Sequence, residues 1–296
     1  MPELQGLPSL NSNARSLQCG ERVLSLSSPI VMGVLNITPD SFSDGGALHV
    51  NGRPNLDKIL LRVEQMLSEG AGIIDVGGES TRPGADTVSL AEEQERVLPV
   101  VEAISQRFST IVSVDTSSPE LMRAAAGCGA GMINDVRALE TPGALLAAQQ
   151  SRLPVCLMHM QGRPQTMQQA PGYENVVGEI IDYLLARVDA CVAQGIDPSQ
   201  MILDPGFGFG KTLQHNLVLL NRLQQMVVLG YPVLVGLSRK SLIGGVLGRE
   251  VSERLAGSLA LAILAVERGA SIIRVHDVAE TVDAIKICRA VGYEQA

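Results

Sequence analysis

Eight short apolar runs, rich in Val, Ile and Leu, recur along this chain, and each ends in a polar residue. Runs of this length suit strands that are buried on both faces, as in a parallel sheet whose connections are helices. Eight such strands predict a closed (β/α)8 barrel, in which catalytic groups lie at the carboxyl ends of the strands. The residues that end the runs are therefore the first candidates for an active site. They are Asn36, Asp75, Asp115, Asn134, His159, Asp204, Lys240, and the pair Arg274 and His276.

The length of the chain agrees with one barrel of ordinary size. Its 296 residues are enough to bury a core that needs no disulfide or metal to stabilise it. Aromatic residues make up only 3% of the chain, so the core must be aliphatic, as the interior layers of such barrels are. We predict an α/β fold with one barrel domain over residues 29–296. Residues 1–28 are expected to form an N-terminal extension or hairpin that caps it.

Amphipathic stretches between the runs predict the helices that connect the strands. Clear examples cover residues 56–70, 90–108 and 252–270. Several stretches end in a glycine that follows a polar or charged residue, as at Gly70 and Gly269, which is typical of a helix that ends before a strand. The alternation of strand and helix therefore continues along the whole predicted barrel.

Charge and cysteine usage argue against several classes of function. A net charge of −8 disfavours general affinity for nucleic acid, although a basic pocket for one phosphorylated ligand fits an acidic protein. The start of the chain lacks a signal-peptide pattern, and the apolar stretch at 259–266 is too short to span a bilayer, so we expect no membrane role. Five widely spaced cysteines without a CxxC pair predict neither a disulfide framework nor a zinc site. We expect a cytoplasmic protein.

The glycine-rich segment GFGFGKT at residues 206–212 invites comparison with nucleotide-binding loops. A Walker A motif requires glycine where this chain has Pro205, and a GxGxxG motif fails because Lys211 occupies the third glycine position. Neither nucleotide motif is present. The glycines are instead expected to let the backbone approach a ligand beside Asp204.

The loops after the first two runs are polar and rich in turn residues. They cover residues 36–46 and 75–85, and the second carries Arg82, a side chain suited to phosphate. With the runs before them, the segments VMGVLNITPDSFSDGG and IIDVGGESTRPGA resemble the two signature segments of the dihydropteroate synthases. The resemblance covers the chain from residue 29 onward, through the segments SVDTS, INDVR, CLMHMQGRPQTMQ, LDPGFGFGK, VGLSRKS and IIRVHD.

This resemblance implies a transferase of folate biosynthesis. It would condense 6-hydroxymethyl-7,8-dihydropterin pyrophosphate with p-aminobenzoate to give 7,8-dihydropteroate and pyrophosphate. In the implied pterin pocket, Asp204 accepts from the 2-amino and N3 groups, and Lys240 donates to the carbonyl oxygen and a ring nitrogen. A direct Asp204–Lys240 ion pair that only supports the architecture is the alternative. The other positions that match the family's pterin contacts are Thr81, Asp115, Asn134, Met158 and Arg274.

A pyrophosphate site is the second feature that the resemblance implies. Arg274 and His276 are two residues apart on the last predicted strand, so their side chains point to the same face. Together with Asn36 and Arg82, they are expected to hold the pyrophosphate, and with Lys240 these residues form the expected catalytic set. Mg²⁺ is the expected cofactor, with Asn36 as its protein ligand and water completing the coordination shell.

The implied p-aminobenzoate site lies between the two loops and the end of the seventh strand. Ser241, expected at a helix N-terminus, holds the carboxylate. Because the loops are expected to assemble this site around bound pterin, we predict that the pterin binds first. Sulfonamides that mimic p-aminobenzoate are expected to inhibit. Phe42, Thr81 and Pro83 are expected to border the ring, and Asp40 and Asp44 to take part in loop closure.

Two alternative functions share a pterin pocket of this kind. One is a barrel that transfers a methyl group from a reduced folate to a corrinoid protein, which needs neither a pyrophosphate site nor the loop residues 40–46 and 81–84. The other is a non-catalytic pterin-binding relative, which is expected to lack Lys240, Arg274 or Asn36. All three residues are present in this chain.

Two side chains and the oligomeric state allow more than one interpretation. Asp75 belongs to the matching motif and either contacts the ligand or orients the pocket from behind. If Met158 faces the pterin, His159 faces away from it, because neighbouring residues of a strand alternate. We expect a homodimer, as is usual in the family, and the apolar residues 255–266 suit either an interface or a helix packed on the barrel.

Overall fold

The computed structural model describes residues 16–38, 49–50, 53–80, 88–162 and 166–293. Within these ranges, parallel strands alternate with helices, which confirms the (β/α)8 barrel predicted from the apolar runs. In chain order the strands are β1 (Ser16–Cys19), β2 (Arg22–Ser25), β3 (Ile30–Asn36), β4 (His49–Val50), β5 (Arg53–Pro54), β6 (Ile73–Gly77), β7 (Ile111–Asp115), β8 (Met132–Asp135), β9 (Val155–Met158), β10 (Met201–Asp204), β11 (Leu234–Val235) and β12 (Ile272–Val275).

The described helices pack around the barrel strands, and several begin after a residue whose side chain caps the helix. Helix α1 (Leu56–Ser68) begins after Asn55, whose side chain accepts from the N–H of Lys58 at 3.1 Å. Gly70 follows that helix at φ +104°, a conformation that glycine adopts without strain. The helices are α1 (Leu56–Ser68), α2 (Leu90–Arg107), α3 (Pro119–Gly127), α4 (Ala144–Ser151), α5 (Val176–Ala193), α6 (Leu213–Asn221), α7 (Gln224–Val227), α8 (Ser241–Leu247), α9 (Leu255–Glu267) and α10 (Val278–Tyr293).

The sheet has the strand order β10, β9, β8, β7, β6, β3, β12, β11 in the described part of the chain. A parallel bridge between Leu203 and Val233 joins the two end strands, so the sheet closes on itself. The register pairs Asn36 with Gly77 and Gly77 with Asp115. The carboxyl ends of these strands therefore lie at one level, and the polar residues that end them lie side by side.

The amino end of the barrel interior is apolar. Its interior residues, one from each barrel strand, are buried and pack together. The hairpin of β1 and β2 packs on them through Leu17, Cys19 and Leu24, which are all buried. The interior layer consists of Met32, Ile73, Ile111, Met132, Cys156, Ile202, Leu234 and Ile272.

One predicted helix starts later than expected. The predicted helix over 252–270 begins only at Leu255, because residues Val251–Glu253 form a short 3-10 turn before it. The division of the chain at residue 28 stays a prediction. None of the helices within the described ranges is both long and apolar enough to cross a membrane.

Candidate active site

Strand geometry directs the predicted polar side chains into the barrel. Side chains alternate along a strand, and Asp75 lies two residues after Ile73, whose side chain is in the interior layer. Asp204 stands in the same relation to Ile202. These carboxylates therefore face the barrel interior at its carboxyl end. The same alternation gives an interior orientation to Asn36, Asp115, Asn134, Met158 and Arg274.

Arg274 is the centre of a hydrogen-bonded network across this end of the barrel. Its Nε donates to Oδ2 of Asp75 at 2.6 Å, and its Nη2 donates to Oδ2 of Asp115 at 3.0 Å. The side-chain amide of Asn134 donates to the same oxygen of Asp75 at 3.3 Å. One cation, two carboxylates and one amide from four strands are thus held together.

Burial shifts the proton affinities in this network. Burial raises the pKa of Asp115 to about 7, although Arg274 lowers it and Asp75 raises it further. Burial acts to lower the pKa of Arg274, but Asp75 and Asp115 outweigh it, so the pKa is raised and the guanidinium stays charged. The network therefore combines a permanent positive charge with a carboxyl group that titrates near neutral pH.

Asp204 and Lys240 lie on either side of the glycine-rich loop. Oδ1 of Asp204 accepts from the N–H of Gly206 at 2.7 Å. Nζ of Lys240 donates to the carbonyl oxygen of Phe207 and lies 4.7 Å from the centre of the Phe209 ring. Among the described residues the two do not form a direct ion pair. The structure therefore does not support the alternative in which such a pair only supports the architecture. Burial raises the pKa of Asp204 and lowers that of Lys240 to about 8.

His276 is oriented by a residue that sequence reasoning missed. The backbone N–H of His276 donates to Oγ of Ser238 at 3.3 Å, and its ring Nδ1 lies 3.0 Å from the same oxygen. Ser238 is buried. The one sequence feature that could have indicated Ser238 is its position in the VGLSRKS segment, two residues before Lys240.

His159 lies on the outer side of the barrel wall, as strand alternation predicted. Its ring contacts the ring of Tyr183 edge-on, with 4.9 Å between the centroids, and its Nδ1 lies 3.0 Å from Nζ of Lys211. Burial lowers the pKa of His159 to about 3, and the Lys211 charge lowers it further, so the imidazole is neutral. His159 therefore faces away from the polar network.

Two predicted residues lie at the rim of the site. Asn36 ends β3, and a Cβ on the neighbouring Gly77 would come within 3.6 Å of its amide oxygen and 3.8 Å of Oδ2 of Asp115. Gly77 therefore lies directly beside the side-chain oxygens of Asn36 and Asp115. Ser241 is the first residue of α8 and is exposed.

The two loops of the sequence analysis are only partly described. The base of the second loop is held by Arg96, which donates to the carbonyl oxygen of Gly78 at 2.9 Å. Behind it, Oγ1 of Thr116 donates to the buried carboxylate of Glu93 at 2.8 Å, and burial raises the pKa of that carboxyl. The sequence did not predict this hydrogen bond between Thr116 and Glu93. Asp40, Phe42, Asp44, Thr81, Arg82 and Pro83 lie outside the described residues.

No cluster of three or more His, Cys, Asp or Glu side chains suited to a metal occurs within the described ranges.

Comparisons with known proteins agree with this geometry. The sequence profile described as "Pterin binding enzyme" matches residues 32–276. The dihydropteroate synthase of Haemophilus influenzae is 53% identical over 274 residues, which are 93% of this chain and 98% of that protein. The Yersinia pestis dihydropteroate synthase, solved as a sulfonamide drug complex, has a TM-score of 0.90 at 50% identity and covers 94% of this chain and 99% of its own.

A second solved structure gives the same result. The Xanthomonas albilineans dihydropteroate synthase, solved with 4-aminobenzoic acid, has a TM-score of 0.87 at 48% identity, with 94% of this chain and 98% of that chain covered. The family profile covers most of the barrel. The chain belongs to the pterin-binding enzyme family and, within it, to the dihydropteroate synthases, which are transferases.

Proposed function

We propose that the protein condenses 6-hydroxymethyl-7,8-dihydropterin pyrophosphate with p-aminobenzoate, giving 7,8-dihydropteroate and pyrophosphate for folate biosynthesis. The observation that carries this proposal is the polar end of the barrel, where Arg274 bridges Asp75 and Asp115 while Asp204 and Lys240 flank the glycine-rich loop. Donors and acceptors converge there on one space. Relatives solved with 4-aminobenzoic acid and with a sulfonamide support the choice of substrates.

The pterin is proposed to lie deepest, against the strands. Asp204 accepts hydrogen bonds from its 2-amino and N3 groups, and Lys240 donates to its carbonyl oxygen and a ring nitrogen. Asn134 and Asp115 take the remaining polar edge, with Met158 and Thr81 completing the pocket. Since each unpaired buried polar group costs about 1–3 kcal/mol, analogues that lack these groups should be strongly rejected.

The reaction is a substitution at the exocyclic carbon of the pterin. The C–O bond to pyrophosphate breaks, and the electron-rich pterin delocalises the positive charge that is left. Arg274, His276 and Arg82 stabilise the departing negative charge. The amine nitrogen of p-aminobenzoate then forms the C–N bond and releases a proton, so positioning of the two substrates contributes more than proton abstraction.

Mg²⁺ fits the rim of this site. Asn36 offers an amide oxygen close to Oδ2 of Asp115 across Gly77, and a divalent cation that binds diphosphate groups usually takes few protein ligands. Asn36 would hold the ion, and the pyrophosphate and water would supply its other ligands. When bound, Mg²⁺ neutralises charge on the leaving group.

The p-aminobenzoate site is proposed to form last. Phe42, Thr81 and Pro83 border its ring, Ser241 holds its carboxylate, and closure of the loops involves Asp40 and Asp44. Asp115, Asn134, Met158 and Asp204 are on strands, whereas Phe42, Thr81 and Pro83 belong to the two polar segments of the sequence at 36–46 and 75–85, which supports ordered binding with pterin first. Sulfonamides that mimic p-aminobenzoate are proposed to compete for this site.

A cytoplasmic homodimer is the proposed form of the enzyme. All five cysteines are free, which suits a reducing compartment. Helices α8, α9 and α10 and the segment between α8 and α9 leave large apolar side chains exposed, and an isologous contact with a second copy would cover such a surface. These side chains belong to Val246, Leu247, Val251, Leu264, Ile287 and Val291.

Pyrophosphate release tests the proposed reaction directly. Purified protein is given dihydropterin pyrophosphate and Mg²⁺, with and without p-aminobenzoate. We expect release that depends on p-aminobenzoate, and a fall in kcat/KM of roughly a hundredfold in Lys240→Ala. The matched control Lys58→Ala removes an exposed lysine of α1 and should behave as wild type. Pterin binding without turnover would contradict the proposal and favour a binding-only protein.

A further inference from the structure

Lys211 is a buried lysine that the proposed reaction does not use. The residue is only 3% exposed. In the part of the chain that the structure describes, it has no carboxylate partner at ion-pair distance. Its Nζ instead donates to the carbonyl oxygens of Gly206 at 2.8 Å, Phe209 at 2.9 Å and His159 at 3.3 Å. Burial lowers the pKa of Lys211 to about 7, although the Asp204 charge raises it, so these hydrogen bonds are what the side chain contributes in either protonation state.

The fourth contact of the ammonium is the imidazole of His159. When Lys211 is protonated its ammonium has only donors, so Nδ1 of His159 then accepts and the ring proton lies on Nε2. Burial lowers the pKa of His159 to about 3, which keeps the ring neutral and able to accept. Lys211 therefore interacts twice with the end of β9 and twice with the loop after β10.

These two segments lie against each other backbone to backbone. Gly206 has φ +67°, and a Cβ there would clash with the carbonyl oxygen of His159. Gly210 has φ +61°, and a Cβ there would clash with the backbone of Gln161. Such close packing brings backbone carbonyl oxygens of the two segments together. Nζ of Lys211 donates to three of these oxygens and so links the two segments.

The loop that Lys211 holds supports both of the proposed deep pterin contacts. The N–H of Gly206 donates to Asp204, and the carbonyl oxygen of Phe207 accepts from Lys240. The ring of Phe209 lies beneath the same lysine. A shift of this loop would therefore move the carboxylate and the ammonium together.

We propose that Lys211 is a positioning residue for the pterin site: the hydrogen bonds of its Nζ hold residues 205–210 against the end of β9 and so set the geometry of Asp204 and Lys240. This inference rests on the proposed function of the same site. Lys211 does not touch the substrate. Its removal should weaken pterin binding and leave the p-aminobenzoate site and the chemical step largely unchanged.

Lys211→Met tests the proposal, because methionine retains length without charge. We expect the KM for dihydropterin pyrophosphate to rise roughly tenfold or more, with kcat and the KM for p-aminobenzoate changed less than about threefold. Calorimetric binding of the pterin substrate without p-aminobenzoate should weaken by the same factor. That measurement does not depend on turnover.

Arg187→Met is the matched control. Arg187 also donates to two backbone carbonyls, of Ala138 and Leu139, at 2.8 and 3.1 Å, in a loop that carries no proposed pterin contact. It should lose comparable thermal stability and keep wild-type pterin affinity. Equal pterin affinity in folded Lys211→Met and wild type would overturn the inference, and so would equal weakening in both variants.

The milder Lys211→Gln, whose amide retains two donors, provides the same comparison if the methionine variant does not fold. We expect it to weaken pterin binding by about threefold to tenfold. Wild-type affinity in folded Lys211→Gln would overturn the inference. Failure of the wild type to bind or turn over pterin would instead contradict the proposed function, so the two failures are distinguishable.

Discussion

Arg274 and Asp75 form an ion pair of 2.6 Å inside the barrel, between two strands that both neighbour β3. The side chain of Asp75 is completely buried, whereas 23% of the Arg274 side chain is exposed. The carboxylate therefore lies behind the guanidinium, which is open to the mouth of the barrel. This favours the interpretation of Asp75 as a residue that orients Arg274 over the interpretation as a direct ligand contact.

Asp75→Asn should weaken both the fold and the reaction. Removing the charge leaves Arg274 with only Asp115, and breaking a buried pair costs about 3 kcal/mol in the free energy of unfolding. Because Arg274 loses its orientation, kcat/KM should fall roughly tenfold or more. Urea unfolding and pyrophosphate release measure these effects. Asp57→Asn, an exposed substitution in the first turn of α1, is the control and should stay within about 0.5 kcal/mol of wild type.

Asp115 should make stability fall as pH rises from about 4 to 7. Burial raises its pKa from 3.8 to about 7, so in this window the folded state holds a proton that the unfolded state has lost. The stabilisation that this proton contributes is complete below pH 4 and is lost as pH rises through 7. Asp115→Asn should reduce the slope of the free energy of unfolding against pH by up to about 1.4 kcal/mol per pH unit. Parallel profiles from urea unfolding at several pH values would contradict this assignment.

Ser238→Ala should reduce the reaction through His276. The serine hydroxyl contacts both the ring nitrogen and the backbone N–H of that residue, and one such hydrogen bond contributes about 1 kcal/mol. We expect kcat/KM to fall between about threefold and tenfold, and Ser238→Thr, which retains the hydroxyl, to recover most of it. Steady-state kinetics of pyrophosphate release measure both variants. Equal activity of the alanine variant and wild type would show that His276 needs no such support.

Gly206→Ala and Gly248→Ala separate backbone strain from steric clash. Both glycines have positive φ, +67° and +65°, but only a Cβ at 206 meets the His159 carbonyl oxygen, while nothing lies within 4 Å of one at 248. Gly248→Ala should lose about 1–2 kcal/mol of stability and keep its activity. Gly206→Ala must displace the loop beside Asp204. Its affinity for the pterin substrate should therefore fall much more than that of the Gly248→Ala control. Calorimetry with the pterin substrate distinguishes them.

Leu17→Ala should destabilise the barrel from its amino end. Leu17 is 1% exposed and packs on the interior layer, so its truncation should cost about 2–5 kcal/mol. Val23→Ala, in the same hairpin but 63% exposed, is the control and should cost less than about 0.5 kcal/mol. Urea unfolding measures both. Similar stability of the two variants would mean that residues 16–25 do not cap the barrel.

Much of the site could be located from the sequence because its residues end apolar runs. Asp75, Asn134 and Asp204 end such runs. The alternation of side chains along a strand also correctly predicts that His159 faces away from the barrel interior. Ser238 and Lys211 were missed because their significance depends on contacts with residues distant in the chain. No periodicity predicts that the oxygen of Ser238 meets His276, 38 residues away.

Sequence alone determined the architecture and the family, since hydrophobic runs, helix ends and long ordered motifs are local signals that one chain carries in full. The tertiary structure decided which partner each charge takes. Arg274 pairs with Asp75 and Asp115, while Lys240 binds the backbone of Phe207 and forms no direct ion pair with Asp204 among the described residues. The physical reason is that barrel closure sets distances between strand ends that are far apart in the chain, and burial then makes the energy of each polar group depend on those distances.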